Sequence, residues 1–416
     1  MITILCGGSR GDVQPYIALA MELKRSGREV RIAVTRDHAA FVRSYGVDVF
    51  SVEVDHESLN VDKDMIREAS QADNPLKLLF SFHKMKQYGT HMVEHYYAAC
   101  EGSEAIIYHP GISVGYFAAE KMGIPCILAT PFPLNKTRQQ TSVILYGKVS
   151  SNPIMNTLSQ SILQNLLWMT SDASLKPFWR EKFGRLPADY GCPFERHRDR
   201  RHPVIVSCSS AVFSRPTDWN EHIHQNGYWF LAEQRTFNPP VELVDFLNGG
   251  EKPVYVGFGS MAMGAATDHL TDIILEGLAL TGQRAILSGL GKNVHLPQTV
   301  LAVDNLPHTW LFPKMAVVCH HGGAGTSAAG FRSGVPSIIL PFALDQHAWA
   351  QRAFELGVGP KPLPIKKLTA EKFAELVAFA SQTKIHKQAQ ELAMKISAEN
   401  GARDGARVIV DSLEKG

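Results

Sequence analysis

The residues with the clearest potential for chemistry form the segment 320–326 (HHGGAGT), which lies between a predicted strand and a predicted helix. Small residues let a backbone approach a phosphate closely, and the free N–H groups of a helix N-terminus favour its negative charge. His321 and Thr326 add side-chain hydrogen bonds. The alternative is a glycine-rich turn that only packs a strand against a helix. The preceding histidine pair, and the segment 341–346 (PFALDQ) one strand–helix unit later, favour a phosphate site.

Asp12 is the candidate for catalysis. It stands in the glycine-rich segment 7–12 (GGSRGD), after the predicted first strand. Ligands of α/β sheets bind at the carboxyl edge of the strands, and a carboxylate there can act as general base toward a hydroxyl nucleophile. Asp12 can also cap the helix that follows, and the two roles are compatible. Ser9 and Arg10 share this loop, where Arg10 either neutralises a diphosphate or lies in solvent.

The elements that must position these residues form two series of alternating strands and helices. The first series has predicted strands over 2–6, 29–35, 105–108, 125–130 and 204–207, with helices over 15–26 and 114–122. The second has strands over 253–258, 284–290, 315–319 and 337–340, with a helix over 268–281. Such alternation predicts parallel, doubly wound sheets, and hence an α/β protein with two Rossmann-like halves.

The length of 416 residues is consistent with two domains. We predict a first domain over 1–216, a second over 217–394, and a C-terminal helical segment over 395–416 that docks back on the first. Residues 234–240 carry the sequence NPP and are predicted to form a linker.

Composition excludes several classes of protein. Hydrophobic residues make up 45% of the chain and charged residues 20%, which is typical of a globular protein and not of a disordered or fibrous one. The net charge of +2 gives no support to a nucleic-acid binder. The chain has no apolar run of membrane-spanning length and no recognisable signal peptide. The six cysteines are scattered, without a zinc or disulfide pattern. We therefore expect a cytoplasmic protein with reduced thiols and no metal site.

Three segments carry a resemblance to a known family. Residues 320–326, 334–336 (GVP) and 341–346 closely resemble the donor-binding signature of the UDP-glycosyltransferase superfamily. Residues 7–15 (GGSRGDVQP) resemble the N-terminal loop of its sterol-glucosyltransferase and antibiotic-glycosyltransferase branch. The resemblance implies the GT-B fold, in which two Rossmann-like domains face a cleft. It also implies an inverting, metal-independent transfer of a sugar from a nucleotide to an acceptor hydroxyl, with the nucleotide sugar as co-substrate and no other cofactor.

The resemblance assigns roles by position. The donor diphosphate is contacted by His321, by the hydroxyl of Ser260, and by a cradle formed by Gly323, Ala324, Gly325 and Thr326. Asp345 and Gln346 match the pair that hydrogen-bonds the sugar hydroxyls, and Val303 matches the base-binding position. The resemblance makes UDP-glucose the favoured donor. Plant members, however, have Trp at the position of Val303 and a ribose-binding Glu at that of Ala329, so a TDP-sugar stays open.

Most plant members place His at the position of Asp12 and orient it with an Asp further along the chain. In this sequence the second position falls on His109, within residues 108–111 (YHPG). The resemblance therefore suggests a dyad with exchanged residue types, in which Asp12 and His109 meet at the acceptor hydroxyl. A purely structural histidine is the alternative.

The acceptor side has a weaker signature. Phe80, Phe82, Phe132 and Trp168 belong to apolar stretches that either line a pocket for a lipophilic acceptor or pack in the core. The sequence thus predicts glycosylation of a sterol, terpenoid, flavonoid or polyketide. A nucleotide-dependent oxidoreductase needs Gly-x-Gly-x-x-Gly, which residues 7–11 lack. A non-catalytic nucleotide-sugar binder would not need the acidic residue at position 12.

Overall fold

The computed structural model describes residues 1–53, 86–197, 199, 201–232, 237–259, 266–291, 294–304 and 306–414. The chain divides into two compact units. The first unit comprises Met1–Leu231 together with Glu399–Gly416, and the second comprises Ala232–Ala398.

Within the described residues, the sheet of the first unit has seven strands in the order β3-β2-β1-β4-β5-β6-β7, and neighbouring strands are parallel. The strands are β1 (Ile2–Leu5), β2 (Val30–Thr35), β3 (Asp48–Val52), β4 (Ala105–Tyr108), β5 (Cys126–Thr130), β6 (Val204–Val206) and β7 (Ile223–Gln225). The helices are α1 (Arg10–Arg25), α2 (Arg36–Ser44), α3 (Lys86–Cys100), α4 (Val114–Met122), α5 (Pro153–Phe183) and, at the C-terminus, α13 (Gly401–Glu414).

The second unit carries a smaller sheet of the same type. Its strands, as far as the described part of the chain shows, follow the order β10-β9-β8-β11-β12 and are parallel. They are β8 (Val254–Gly257), β9 (Ala285–Ser288), β10 (Val300–Val303), β11 (Val317–His320) and β12 (Ser337–Ile339). The helices are α6 (Val241–Asn248), α7 (Ala266–Thr281), α8 (His308–Leu311), α9 (Ala324–Ser333), α10 (Gln346–Glu355), α11 (Ala370–Ala380) and α12 (Thr383–Ser397), with 3-10 turns at Phe312–Lys314 and Ile365–Lys367.

Two doubly wound parallel sheets confirm the predicted fold class. Parallel strands are covered by helices on both faces, so their residues form nearly continuous hydrophobic runs. The central strand β1 is buried throughout, as are β4 and β8. Ala406 and Ile409 of α13 are buried in the same hydrophobic core as β1 and α1, so the C-terminal helix is an integral part of the first unit.

Several local elements differ from the sequence prediction. The helix predicted over 15–26 begins at Arg10, because Ser9 occupies the N-cap position. The C-terminal segment contains the end of α12 and the separate helix α13, rather than one continuous helix. Strands β3 and β10, which lie at the edges of the two sheets, were not predicted. Among the described helices, none has both the length and the apolar character needed to cross a bilayer.

Candidate active site

The first-unit part of the candidate site lies where the chain leaves β1. Asp12 is the third residue of α1, and its Oδ2 accepts hydrogen bonds from the Ser9 N–H (2.7 Å) and the Ser9 hydroxyl (2.8 Å). The bond from the Ser9 N–H is the one in a capping box in which the side chain of the third helical residue accepts from the N-cap backbone. Gly8 has a φ of +109°, and a Cβ there would lie 2.6 Å from Asp12 Oδ2. The loop therefore needs glycine at this position to receive the carboxylate.

Asp12 contributes to capping α1, but it is not itself the N-cap residue. Ser9, rather than Asp12, is the N-cap residue, and Asp12 supports the cap from inside the first turn. The Asp12 side chain nevertheless remains exposed. A fixed but accessible carboxylate fits both a structural role and a role as base, so the geometry keeps the two compatible.

His109 follows β4, the strand next to β1, and its backbone N–H donates to the carbonyl of Leu5 (3.0 Å). Its Nδ1 accepts a hydrogen bond from the Gly111 N–H (3.1 Å), so the neutral ring carries its proton on Nε2. Burial lowers the pKa of His109, while the negative charge of Asp12 acts in the opposite direction. Protonating this ring would break the bond to Gly111 and bury a charge. Asp12 is therefore the better placed of the two to accept a proton.

A cavity of about 240 Å³ lies next to the loop that follows His109. Its wall comes from α3, from the loop after His109 and from α5, and it includes Tyr96, Gly111, Ile112 and Leu175. The hydroxyl of the buried Tyr96 donates to the carbonyl of Cys6 (2.9 Å), just before the loop that carries Asp12. The cavity thus includes residues of the His109 loop, and through Tyr96 its wall contacts the residue that precedes the Asp12 loop.

The predicted acceptor residues lie elsewhere or outside the described residues. Phe80 and Phe82 fall outside the described part of the chain. Phe132 is half-buried just after β5, where its carbonyl accepts from the Thr130 hydroxyl (2.8 Å). Trp168 of α5 packs against Phe117, with ring centroids 5.8 Å apart. Neither Phe132 nor Trp168 is among the residues that line the cavity.

Arg10 also has a local partner. Its guanidinium lies 4.4 Å from the ring centroid of Phe41 on α2, within the range of a cation–π contact. The side chain is exposed nevertheless. The proposed diphosphate contact would therefore have to compete with this stacking.

The second-unit part of the candidate site is the turn between β11 and α9. Gly323 is the N-cap of α9, and the first helical turn is formed by Ala324, Gly325 and Thr326, at the helix end where N–H groups lack intrahelical acceptors. Gly322 has a φ of +94°, and a Cβ there would lie 2.7 Å from Cγ2 of Ile339. The turn therefore requires this glycine on both conformational and steric grounds.

The two histidines of the turn have different environments. His320 is fully buried, and its Nδ1 accepts from the Gly322 N–H (3.1 Å), which helps to fix the turn. The ring of His321 packs over Gly323, where a Cβ would lie 2.7 Å from Nε2. Burial lowers the pKa of His321 to about 4 and that of His320 well below its usual value. At neutral pH, His321 is thus an uncharged hydrogen-bonding group.

Asp345 and Gln346 lie together at the start of α10. Gln346 Oε1 accepts from the backbone N–H groups of Phe342 (2.8 Å) and Ala343 (3.1 Å). Asp345 Oδ2 accepts from the indole N–H of Trp349 (2.8 Å). Leu344, immediately before the pair, has a φ of +54°, a conformation that costs free energy in a residue with a side chain.

Sheet topology explains why these residues gather in two places. In each sheet the strand order reverses direction between two central strands, β1 and β4 or β8 and β11, and α/β sheets bind ligands at the carboxyl ends of such strands. Asp12 and His109 follow the first pair, whereas Gly259 and His321 follow the second. A Cβ on Gly259 would lie 3.5 Å from the His321 ring.

Two donor-site predictions have less structural detail. Ser260, next to Gly259, lies outside the described residues. Val303 ends the edge strand β10 and is half-buried. A search of the described residues finds no group of three or more His, Cys, Asp or Glu side chains arranged to hold a metal ion.

Comparison with protein families gives two matches. Residues 2–141 match the glycosyltransferase family 28 N-terminal domain. Residues 285–415 match the C-terminal domain of proteins like the erythromycin biosynthesis protein CIII. The first match includes the Asp12 and His109 loops, and the second includes the histidine–glycine turn and the start of α10.

Among curated proteins, the chain is similar to sterol 3-beta-glucosyltransferases. It is 31% identical to one from Arabidopsis thaliana, in an alignment that covers 100% of this chain and 68% of the plant protein. It is 30% identical to one from Komagataella phaffii, covering 99% of this chain and 34% of the yeast protein. The chain therefore spans about two thirds of the plant relative and one third of the yeast relative.

Solved structures of antibiotic glycosyltransferases share the fold. The glycotransferase of kitacinnamycin superposes with a TM-score of 0.72 at 20% identity, covering 99% of this chain and 98% of the other. The glycosyltransferase SnogD from Streptomyces nogalater superposes with a TM-score of 0.67 at 17% identity, covering 99% and 98%. These matches extend over both units and confirm the predicted GT-B fold.

Proposed function

This chain belongs to the glycosyltransferase family that includes sterol 3-beta-glucosyltransferases and antibiotic glycosyltransferases, and we propose that it transfers glucose from UDP-glucose to a hydroxyl of a lipophilic small molecule. In this proposal the first unit binds the acceptor and supplies the base, and the second binds the nucleotide sugar. Transfer inverts the configuration of the anomeric carbon.

The observation that carries the proposal is the state of Asp12. Its carboxylate is accessible, is fixed by two hydrogen bonds from Ser9, and follows a central strand. The neighbouring His109 is half-buried, and its neutral ring carries its proton on Nε2. A structural cap needs only the Ser9 contacts, whereas a base also needs an accessible oxygen and a polar partner.

In the proposed reaction, Asp12 takes the proton of the acceptor hydroxyl. The freed oxygen attacks the anomeric carbon and forms the new C–O bond as the bond from that carbon to the diphosphate oxygen breaks. The electron pair of the broken bond leaves with UDP. General-base assistance of this kind contributes roughly 10²- to 10⁴-fold to a rate.

Charge that develops on the departing diphosphate needs compensation. The turn before α9 offers the N–H groups of the first helical turn and the ring of His321. Because burial holds the pKa of His321 at about 4, its contribution is a hydrogen bond rather than a full positive charge. Preorganised N–H groups are effective stabilisers of such charge.

Two observations support a lipophilic acceptor. The cavity next to the loop after His109 has a largely apolar wall that includes Met92, Val93 and Ile112, with hydroxyl groups such as that of Ser171. The similar plant and yeast proteins are named for action on sterols. We therefore propose that this cavity receives the acceptor, and that sterols head the list of compounds to assay.

The decisive variant is Asp12→Asn. An asparagine oxygen can still accept from Ser9, so the cap is retained while the basic oxygen is lost. We expect turnover of UDP-glucose with the active acceptor to fall by at least 100-fold, while UDP affinity and the melting temperature stay unchanged. Asp48→Asn, at an exposed position at the start of β3, is the matched control. Asp12→Asn turnover within a few-fold of wild type would exclude Asp12 as the base.

The role of His109 and the choice of donor need separate measurements. His109→Ala is expected to lower turnover at least tenfold, and a loss of less than a few-fold would remove His109 from the mechanism. A thermal-shift series with UDP-glucose, UDP-galactose and TDP-glucose tests the donor. A larger shift with TDP-glucose than with UDP-glucose would show that TDP is the preferred nucleotide. It would leave the proposal that Asp12 is the general base unaffected.

A further inference from the structure

Asp345 occupies the N-cap position of α10 but does not cap the helix. An N-cap aspartate ordinarily accepts a hydrogen bond from a backbone N–H of the first turn. Here the side chain makes no such bond, and its Oδ2 instead accepts from the indole N–H of Trp349 at 2.8 Å. Trp349 is fully buried and lies four residues along the same helix. The backbone of Asp345 is itself helical (φ −70°, ψ −15°), so the indole N–H of a buried side chain, and not a backbone cap, contributes to the orientation of this carboxylate.

The neighbouring Gln346 is fixed in a complementary way. Its Oε1 is occupied by the backbone N–H groups of Phe342 and Ala343. The remaining polar group of the side chain is the amide NH₂, which only donates. The pair therefore presents a defined polarity, with an acceptor at Asp345 and a donor at Gln346.

We propose that Trp349 is a positioning residue that sets the sugar specificity of this enzyme through Asp345. The inference rests on the proposed function, in which Asp345 and Gln346 contact the hydroxyls of the donor sugar. Two adjacent hydroxyls are recognised when one donates to Asp345 and the other accepts from Gln346. That recognition requires the Asp345 carboxylate to stay in the orientation that the indole N–H imposes.

The physical reason is that the indole N–H is the hydrogen bond that Trp349 contributes to holding the carboxylate. Without it, the Asp345 side chain can adopt other rotamers. The phenyl ring of Trp349→Phe still fills the buried position, so the change acts on the direction of the carboxylate more than on the stability of the fold. A side chain with a purely structural role would show the opposite pattern.

The test is Trp349→Phe, which keeps an aromatic ring in the buried position and removes the N–H. Calorimetric titration with UDP and with UDP-glucose separates nucleotide binding from sugar binding. We expect UDP affinity to remain within twofold of wild type, UDP-glucose affinity to fall about tenfold, and the preference for UDP-glucose over UDP-galactose to narrow. Trp310→Phe, a half-buried position on α8, is the matched control and should change neither affinity.

Asp345→Ala distinguishes failure of this inference from failure of the proposed function. If Asp345→Ala weakens UDP-glucose binding and Trp349→Phe does not, the positioning role is overturned and the sugar contact stands. If Asp345→Ala leaves UDP-glucose binding unchanged, the assigned sugar contact itself is wrong. If Trp349→Phe does not fold, NMR of the wild type replaces it. The indole ¹H–¹⁵N resonance of Trp349 is assigned as the one that Asp345→Ala shifts, and it is then followed on addition of ligand. It should move with UDP-glucose and not with UDP, and equal movement with both would refute the inference.

Discussion

Acidification should destabilise the second unit through His321. Burial lowers the pKa of this histidine from its usual value of 6.5 to about 4. Between these two pH values the unfolded chain binds a proton that the folded chain does not, so stability falls as the pH falls. The neutral folded form is therefore fully favoured above pH 6.5, and its advantage is lost progressively down to pH 4.

The size of the effect follows from the same two pKa values. A difference of one pKa unit corresponds to about 1.4 kcal/mol, so the full effect of His321 is about 3 kcal/mol. Most of this loss of unfolding free energy occurs at pH values that are practical for measurement. Between pH 7 and pH 5 the free energy of unfolding should drop by about 2 kcal/mol because of this one group.

The measurement is urea-induced unfolding of wild type and His321→Asn at pH 7 and pH 5, followed by tryptophan fluorescence. The wild type should lose about 2 kcal/mol more than His321→Asn over this interval. Both proteins keep His197, so the contribution of this buried histidine cancels in the comparison. His321 also helps to lower the pKa of His320, so its replacement adds to the difference in the same direction. His269→Asn, at an exposed position on α7, should behave as wild type. Equal losses in wild type and His321→Asn would refute the argument from burial.

Two further substitutions test how the units are built. Gly322→Ala introduces a Cβ 2.7 Å from Cγ2 of Ile339 at a φ of +94°, so it should lower the unfolding free energy of the second unit by about 1–3 kcal/mol and weaken UDP binding in calorimetry. Normal stability and UDP affinity would show that the turn adapts at no cost. Ile409→Ala in α13 should lower the unfolding free energy of the first unit by about 2–5 kcal/mol in urea titrations, since Ile409 is fully buried in its core. A change below 0.5 kcal/mol would mean that α13 contributes little to that unit.

The sequence was sufficient to predict the fold because its central strands are hydrophobic throughout. Segments such as 105–108 (AIIY) are buried on both faces of a parallel sheet, and they end at loops rich in glycine or proline. The edge strand β12 shares this signature and was predicted, but the edge strands β3, β7 and β10 lack it. In β3 (Asp48–Val52) only Val52 is buried, and its first residue is exposed, so its composition does not distinguish it from a loop.

The start of α1 shows why a local pattern can mislead. Residues 7–12 contain three glycines, which favoured a loop up to Asp12. The structure begins the helix at Arg10 because Ser9 and Asp12 form reciprocal capping contacts. The spacing of a serine and an acidic residue three positions later was the signal for this start.

The cavity could not have been predicted from sequence. Its wall combines Tyr96, Gly111 and Leu175, which come from three separate segments and share no local pattern. Only the topology, which brings α3, the loop after β4 and α5 together, creates this surface. The sequence analysis chose aromatic residues as acceptor candidates, but Trp168 packs against Phe117 and Tyr190. The cavity wall is formed largely by smaller side chains.

The two candidate sites share an electrostatic principle. His109 and His321 follow central strands of their sheets, and burial lowers the pKa of both, so each acts as an uncharged hydrogen-bonding group. A protonated His109 beside Asp12 would stabilise the carboxylate as an anion and make it a weaker base. A neutral ring does not stabilise the anion in this way, while the Ser9 hydrogen bonds hold the carboxylate in place. If the turn before α9 binds a diphosphate as proposed, a neutral His321 leaves most of the charge compensation to backbone N–H groups of the turn that contains Gly322 and Gly323. In the proposed reaction, catalysis would depend on the orientation of dipoles, and the glycines that allow that orientation would be as necessary as the polar side chains.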